Sequence, residues 1–506
     1  GRIPGFLDLI RICREKKHLD HSCELHELHG QTYASSVPFT PWWIVTRCPK
    51  NVEYVLSTNF KNFPKGAYTR GKLMDLLGRG IFNVDGEEWH HQRKTASHMF
   101  TAKLFREHIW FVVRRNSQKL RTMLETADPT KPMDVFNLMN RFTLDTIGEI
   151  GFGKSIGSLE DPSSPFLASF DIAQQTVFRR FILPAWWIWR LLGRGPERDT
   201  AEHFGRLDDY ARNVVRELRA NIAGGEDSTK LDRDGDGEVE ARKSFVGLFL
   251  QDARSKGEDL SEDYLRDLVL NFLIAGRDTT AQALSWTMFC LCKHPDVETR
   301  ARQEVVNVCQ GRECTYEEVG RLPFLQAVLS EALRLYPSVP IDIKCAVDND
   351  TLPDGTWVPR GSIVMYNIYG MNRDSRIWGE DAHIFRPERW LENPAPNNYT
   401  YPVFNAGPRE CLGRRLSLVE MKTCLATILP RVTFKLAVPE EEIIIDGQLT
   451  IGMSRGLPCF VTAHQTGHDG DSTLTTAPSE DSGVADCASG DPPHNIPEVY
   501  STPRLS

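Results

Sequence analysis

A succession of long segments in which apolar residues return every three or four positions constrains this chain most. They run around 104–125, 133–150, 164–183, 199–222, 246–256, 261–293, 295–309 and 323–336. That period gathers the apolar side chains of each segment on one helical face. β-like pieces are short and confined to Trp42–Thr46 and Trp357–Met365, the second introduced by the Pro353-Asp354-Gly355 turn. The expected fold class is therefore mainly α with small β-sheets. At 506 residues, 41% of them apolar, the chain has core material for one large multilayered domain or for two domains.

Charge narrows the function. The net charge is −8, but from Gln465 onward seven acids face one base, Arg504, so that stretch carries −6 and the remainder only −2. A nearly neutral body argues against nucleic acid as a partner. Residues 464–506 read as an acidic, Ser/Thr/Pro-rich disordered tail and 224–243 as a polar insertion, since neither can bury enough apolar surface to offset its ordering. The twelve cysteines contain no C-x-x-C pair and are expected as mostly buried thiols in a reducing compartment. No apolar run approaches the roughly 20 residues of a membrane-spanning helix. The chain starts with Gly1 rather than Met, which leaves an upstream anchor open.

Three local patterns invite chemistry and do not sustain it. Residues 1 to about 30 look like an amphipathic helix with a Leu19, Leu25, Leu28 stripe. His18, His21, His26 and His29 stand there beside Cys13 and Cys23, but no metal signature fits the spacing, so exposed helical histidines are expected. Gly148 to Ser155 matches G-x-x-x-x-G-K-S. A phosphate loop needs a strand before it and a helix after it, and here a helical apolar face precedes it and Asp161-Pro162 follows. Asp232 to Gly237 opens like a calcium loop but carries Lys243 where a bidentate Glu belongs.

The stretch that carries chemistry is Phe404-Asn-Ala-Gly407-Pro-Arg409-Glu-Cys411-Leu-Gly413. A cysteine between two glycines is either a structural thiol or a metal-bound thiolate, whose charge needs backbone amides close to sulfur. Arg409 is suited to a carboxylate. The apolar helix that follows, with Leu416, Leu418, Val419, Met421 and Leu425, would anchor the loop. The stretch resembles the cysteine-loop signature F-x-x-G-x-R-x-C-x-G of the cytochrome P-450 haem-thiolate monooxygenases at every fixed position.

Companion motifs follow in family order. Glu331-Ala-Leu-Arg334 resembles the family's E-x-x-R, which implies a buried network with Arg389 of Pro387-Glu388-Arg389-Trp390. Ala275-Gly276-Arg277-Asp278-Thr279-Thr280, which interrupts an apolar helix, resembles the oxygen-activation segment. The likeness implies that Thr279 bonds a carbonyl one turn back, and that Asp278 and Thr279 relay protons as the catalytic pair. Trp89-His-His-Gln-Arg93 resembles the W-x-x-x-R helix that contacts haem propionates, and Lys344 is a third candidate for a propionate or the substrate. The resemblance implies a cytochrome P-450 fold, with residues 1–463 forming a single haem domain. It also implies haem b held by the Cys411 thiolate, with Trp89, Arg93, Ala275, Lys344, Phe404, Gly407, Arg409 and Gly413 around it.

Several stretches look like the fatty-acid omega-hydroxylase branch found in plants and fungi: Asn59–Gly66, Phe142–Ile147, Trp378–Asp381 with Phe385–Trp390, and Phe404–Arg409. A long-chain fatty acid or alkane is the preferred substrate on that likeness, with a sterol or terpenoid as the alternative. A haem protein that binds a ligand or isomerises a peroxide without oxygenating is a further alternative, and the intact Asp278-Thr279 pair argues against it. Phe181–Leu192 is either buried core or a loop that dips into a lipid surface beside the substrate entrance. No dinucleotide fingerprint is present, so electrons are expected from a separate protein. The resemblance implies an NADPH-dependent flavoprotein reductase docking near Cys411, Arg414 and Arg415, with O2 as co-substrate, at the cytosolic face of the endoplasmic reticulum membrane.

Overall fold

One helix organises the molecule. Ser261 accepts the Tyr264 N–H as an N-cap, Glu262 and Asp263 fill the first turn, and Lys293 sits in the last, each at the end of the helix dipole that favours it. Between them Glu262–Lys293 forms an unbroken 32-residue helix, buried along most of its length. The interruption expected at Ala275–Thr280 does not occur. Gly276 serves close packing instead: a Cβ there would lie 2.4 Å from Ile147 Cγ1 of the neighbouring helix.

The computed structural model describes residues 15–36, 40–97, 100–163, 165–183, 185–223, 244–392 and 396–464. The 224–243 insertion, its calcium-like loop and the tail beyond His464 lie outside the described residues. Helices of seven residues or more are labelled in chain order: α1 His18–His29, α2 Gly66–Leu77, α3 Gly86–Ser97, α4 Trp110–Glu125, α5 Val135–Phe152, α6 Pro165–Ile182, α7 Trp186–Leu192 and α8 Thr200–Ala223. They continue with α9 Phe245–Ser255, α10 Glu262–Lys293, α11 Pro295–Cys309, α12 Pro323–Leu335 and α13 Arg414–Ile428. Most coincide with the periodic segments of the sequence, because tertiary packing rewards the same apolar faces that the period marks.

Two hydrophobic cores meet along α10. One joins its C-terminal half, including Leu284 and Trp286, to α4, α5, α12 and α13 through Leu120, Phe142, Leu329 and Leu425. The other joins its N-terminal half, including Leu268 and Leu270, to α2, α6, α8 and α9 through Leu76, Phe170, Leu207 and Phe249. Ala275–Thr280 falls between the two.

The principal sheet holds β1 (Thr32–Ser35), β2 (Trp43–Thr46), a strand at Ile363–Asn367 and another at Ile341–Cys345, in that spatial order. Within it β2 runs parallel to Ile363–Asn367 and the other pairings are antiparallel. The β-like piece expected at 357–365 is divided, because Gly361 adopts φ +80° and turns the chain between Trp357–Val358 and Ile363. Strand Val432–Leu436, directly after α13, pairs antiparallel with Pro458–Ala463.

Several expectations change. None of the four α1 histidines is exposed. His26 is buried against Tyr33 and bonds the Gly30 carbonyl, while Leu28 points outward. The inward face of α1 thus includes a histidine where a third leucine was expected. Cys309 and Cys314 form a disulfide, whereas the other eight described cysteines are free. The chain reverses after α11 through left-handed Gln310 and Gly311, which brings the two Cα atoms to 5.0 Å. Gly148 lies inside α5, and Gly153 terminates that helix in the left-handed conformation, so the formal phosphate-loop pattern is a helix end.

Candidate active site

The loop before α13 is held by its backbone. Gly407 adopts φ +62°, and a Cβ there would lie 2.2 Å from the Leu56 carbonyl oxygen, so only glycine fits. Cys411 donates its N–H to the Phe404 carbonyl at 2.8 Å, closing the loop on itself. Its side chain stays accessible although it lies deep in the protein. Burial pushes the thiol up, and the Gly413 amide with the Arg93 and Arg414 charges pulls it back toward the thiolate. Gly413 itself has ordinary φ, and its Cβ would meet no protein atom closer than the Cys411 sulfur at 3.8 Å. Of the two glycines expected to permit close approach, Gly407 does so against Leu56, and Gly413 contributes its amide.

The middle of α10 carries small and hydroxyl side chains at Ala275, Gly276, Thr279 and Thr280. Thr279 donates to the Ala275 carbonyl at 2.7 Å, one turn back, while its own carbonyl accepts from Ser338 at 2.7 Å. Ala275 and Thr279 are half-buried. Asp278 points elsewhere on the helix and is buried, accepting from Arg277 at 2.9 Å. Arg277 also donates to half-exposed Asp171 on α6 at 2.7 Å. Burial pushes Asp278 up to about 6 despite Arg277.

Cations collect beside the cysteine loop. Arg93 on α3 donates to the Glu410 carbonyl at 2.7 Å, and Arg409 stacks 4.5 Å over the buried Trp89 ring. Arg409 also bonds the Val84 carbonyl and Asp85, at 2.9 and 2.8 Å, while its Nε is buried without a partner. Asp85 further accepts from Arg70 at 3.1 Å. Strand Ile341–Cys345 presents Asp342 and Lys344 on one face by alternation. Asp342 accepts from Lys65 at 2.6 Å, Lys344 at 3.1 Å and the Tyr366 hydroxyl at 2.5 Å. Burial opposes its ionisation, but Lys344 and Lys65 hold it well below the ordinary carboxylate value.

Lys344, expected to meet a propionate or the substrate, lies against Asp342 at 3.1 Å in this structure. The side chain is completely buried on Asp342, and burial pulls it down to about 7. Asp342 and Tyr366 had no sequence signal of their own, since only strand pairing brings them to Lys65 and Lys344.

Behind the loop, Glu331 accepts from Arg334 at 2.7 and 2.9 Å, from Arg389 at 2.9 Å, from the Arg386 amide at 3.0 Å and from Trp390 at 2.9 Å. Arg334 donates onward to the carbonyls of Asn372, Ala382 and Ile384. Glu331 and Arg334 are wholly buried. The network ties α12 to the segment leading into the cysteine loop.

The family profile described as Cytochrome P-450 matches residues 1–458. The chain belongs to the cytochrome P-450 family. It is 37% identical to cytochrome P-450 86B1 of Arabidopsis thaliana, over 82% of this chain and 77% of that protein. It is 34% identical to cytochrome P-450 704C1 of Pinus taeda, over 88% and 90%. With cytochrome P-450 94A1 of Vicia sativa it shares 35%, over 79% and 77%.

This P-450 is thus a haem-thiolate monooxygenase whose family holds haem b through an axial cysteine thiolate, and takes O2, electrons from a redox partner and a lipophilic substrate. Its own residues fit that cofactor. Haem b brings two propionates, and in this family it takes a cysteine thiolate. Lys65, Arg70, Arg93, Lys344 and Arg409 outnumber Asp85 and Asp342 beside the loop, and the Arg409 Nε is left over for an acceptor. Among the described residues no group of three or more His, Cys, Asp or Glu is arranged to hold a separate metal ion.

Proposed function

We propose that this P-450 hydroxylates a long-chain fatty acid or alkane, at or near its terminal carbon, with electrons from an NADPH-dependent flavoprotein reductase. The observation that carries the lipid reading is α7. Trp187, Ile188, Trp189, Leu191 and Leu192 are all exposed on one short helix, while Arg190 turns back to Asp75 on α2 at 2.5 Å. Exposed aromatics and leucines flanked by arginine suit a lipid interface. A lipophile partitioned there reaches α2 and α6 without crossing water. No described helix is long and apolar enough to cross a membrane. In this reading the endoplasmic reticulum membrane is engaged through Phe181–Leu192, and the reductase docks beside Arg414 and the exposed Arg415.

When bound, haem b supplies the iron at which dioxygen is activated. Cys411 would provide the thiolate, with the Gly413 amide and the Arg93 and Arg414 charges offsetting part of the burial that raises its thiol. Trp89, Arg93 and Arg409 orient the propionates, and Phe404 fixes the Cys411 amide. Thr279 donates its hydroxyl proton to the Ala275 carbonyl, which leaves its oxygen as an acceptor that positions a proton-donating group beside the reaction space. Asp278, raised to about 6, is held through Arg277 beside Asp171 at the surface, where its carboxyl takes up and gives up a proton close to working pH. Glu331, Arg334 and Arg389 keep the loop in place.

The test is the carbon monoxide difference spectrum of the dithionite-reduced protein, followed by titration of the ferric protein with a long-chain fatty acid. A strongly red-shifted Soret band with a low-to-high-spin shift on adding the acid is expected. The first without the second would leave the monooxygenase and remove the fatty-acid assignment.

A further inference from the structure

Lys72, on the inner face of α2, is a buried cation without a counter-ion. Only about 6% of it is exposed, yet among the described residues no carboxylate lies within ion-pair distance of its Nζ. Its neighbours explain why. Arg180 of α6 occupies Asp75 at 2.7 Å and Glu197 at 2.9 Å, and Arg190 takes the remaining capacity of Asp75. The ammonium is left with one hydrogen bond, to the Arg180 carbonyl at 2.5 Å, and with two rings, Tyr68 at 4.4 Å and Phe181 at 5.4 Å. Tyr68 in turn stands edge-on to Trp43 of β2 at 6.1 Å. Tyr68, Phe181 and Trp43 are each half-buried.

Capping the last turn of α6 does not account for this arrangement. A neutral donor would satisfy the Arg180 carbonyl equally well, without the desolvation that a buried ammonium incurs. Ring faces return only part of that cost. What the geometry provides is a buried ammonium with N–H donors beyond the one on the Arg180 carbonyl, in a cage with the Tyr68 and Phe181 rings on two sides. Such a cage matches a single carboxylate on an apolar body. A phosphate would call for more donors than one ammonium and one phenol. Its position agrees, since the same α2–α6 junction carries the Asp75–Arg190 link to the exposed apolar face of α7.

We infer that Lys72 receives the carboxylate of the substrate, with Tyr68, Phe181 and Trp43 enclosing the carbons next to it, so that this P-450 selects acids over the corresponding esters and alkanes. The inference rests on the fatty-acyl reading proposed above and makes it specific.

The experiment compares palmitic acid with methyl palmitate, by equilibrium titration of the ferric holoenzyme followed through its spin-state change. Wild-type protein, Lys72→Gln and Lys72→Arg are measured, each with an intact thiolate carbon monoxide spectrum. Glutamine keeps a donor for the Arg180 carbonyl and removes the charge. Wild type is expected to bind the acid more tightly than the ester. Lys72→Gln should weaken the acid roughly tenfold to a hundredfold, the range of a charge-assisted hydrogen bond, and leave the ester within about twofold. Lys72→Arg should restore most of the preference. If acid and ester weaken together, or neither changes, Lys72 is structural and the inference is overturned while the fatty-acyl reading stands. A wild-type protein that binds both ligands without preferring the acid overturns the inference with no variant needed. A wild type that binds neither overturns the substrate reading, and the role of Lys72 with it.

Discussion

Replacing Glu331 with glutamine isolates the buried network behind the cysteine loop. The carboxylate accepts five hydrogen bonds, three of them from guanidinium groups that are themselves buried. Glutamine offers one oxygen in place of two and turns an N–H toward donors, so at least two of the five contacts lose their acceptor. Removing one partner of a buried ion pair costs about 3–5 kcal/mol, against about 0–1 kcal/mol for an exposed pair. Arg334 retains three carbonyl acceptors, which places the expected loss near the lower figure. For a body of this size about 1 kcal/mol corresponds to roughly one degree of Tm, so a fall of about 3 °C is expected.

The effect should also depend on pH. Burial alone would raise Glu331, but the Arg334 hydrogen bonds and charge, the Arg386 amide and Arg389 outweigh it and hold the group below its ordinary value of 4.5. A depressed carboxylate stabilises the fold above its unfolded value and loses that contribution as pH falls through the folded one. The wild-type lead over Glu331→Gln should therefore be full at neutral pH and shrink in acid below about pH 4.5. Thermal unfolding followed by tryptophan fluorescence, repeated from pH 7 downward, measures both. A loss within one degree that does not change in acid would refute the reasoning, because the network would then be behaving as a solvent-screened pair.

Gly276→Ala should destabilise by about 1–3 kcal/mol through overpacking on Ile147, and Ile147→Ala in the same chain should recover part of that in a urea melt. Asp278, raised from 3.8 to about 6, binds its proton more tightly folded than unfolded, so its contribution to stability declines as pH rises from about 4 to 6. Asp278→Asn should remove that decline, and an unchanged slope in pH-dependent melts would assign it to other groups. Thr279→Ala should lower product formed per NADPH consumed by about 10-fold or more while substrate-induced spin change persists, as expected where a positioned proton donor or relay contributes 10²–10⁴ in rate. Exchanging Trp186, Trp187 and Trp189 for alanine should weaken sedimentation with liposomes without altering the carbon monoxide spectrum, and undiminished partitioning would make α7 ordinary surface.

The sequence alone determined the helical architecture and the identity of the thiolate loop. Apolar periodicity is a local property, and the Phe404–Gly413 signature is a contiguous run in which Gly407 must be glycine because its φ and the Leu56 carbonyl allow nothing else. The E-x-x-R pairing was legible too, since three-residue spacing places both charges on one face of α12. Tertiary structure decided what those charges meet. Lys344 reads as a free cation along the chain, yet alternation on its strand sets it against Asp342, a residue that no motif marks. Gly276 reads as a helix break, yet it lets α5 approach an unbroken α10. Lys72 lies in a segment that sequence periodicity does not single out, and its lack of a counter-ion exists only because Arg180 and Arg190, more than a hundred residues later, have claimed Asp75. Electrostatic partnership depends on distances between segments remote in sequence, and those distances are set only once the helices have packed.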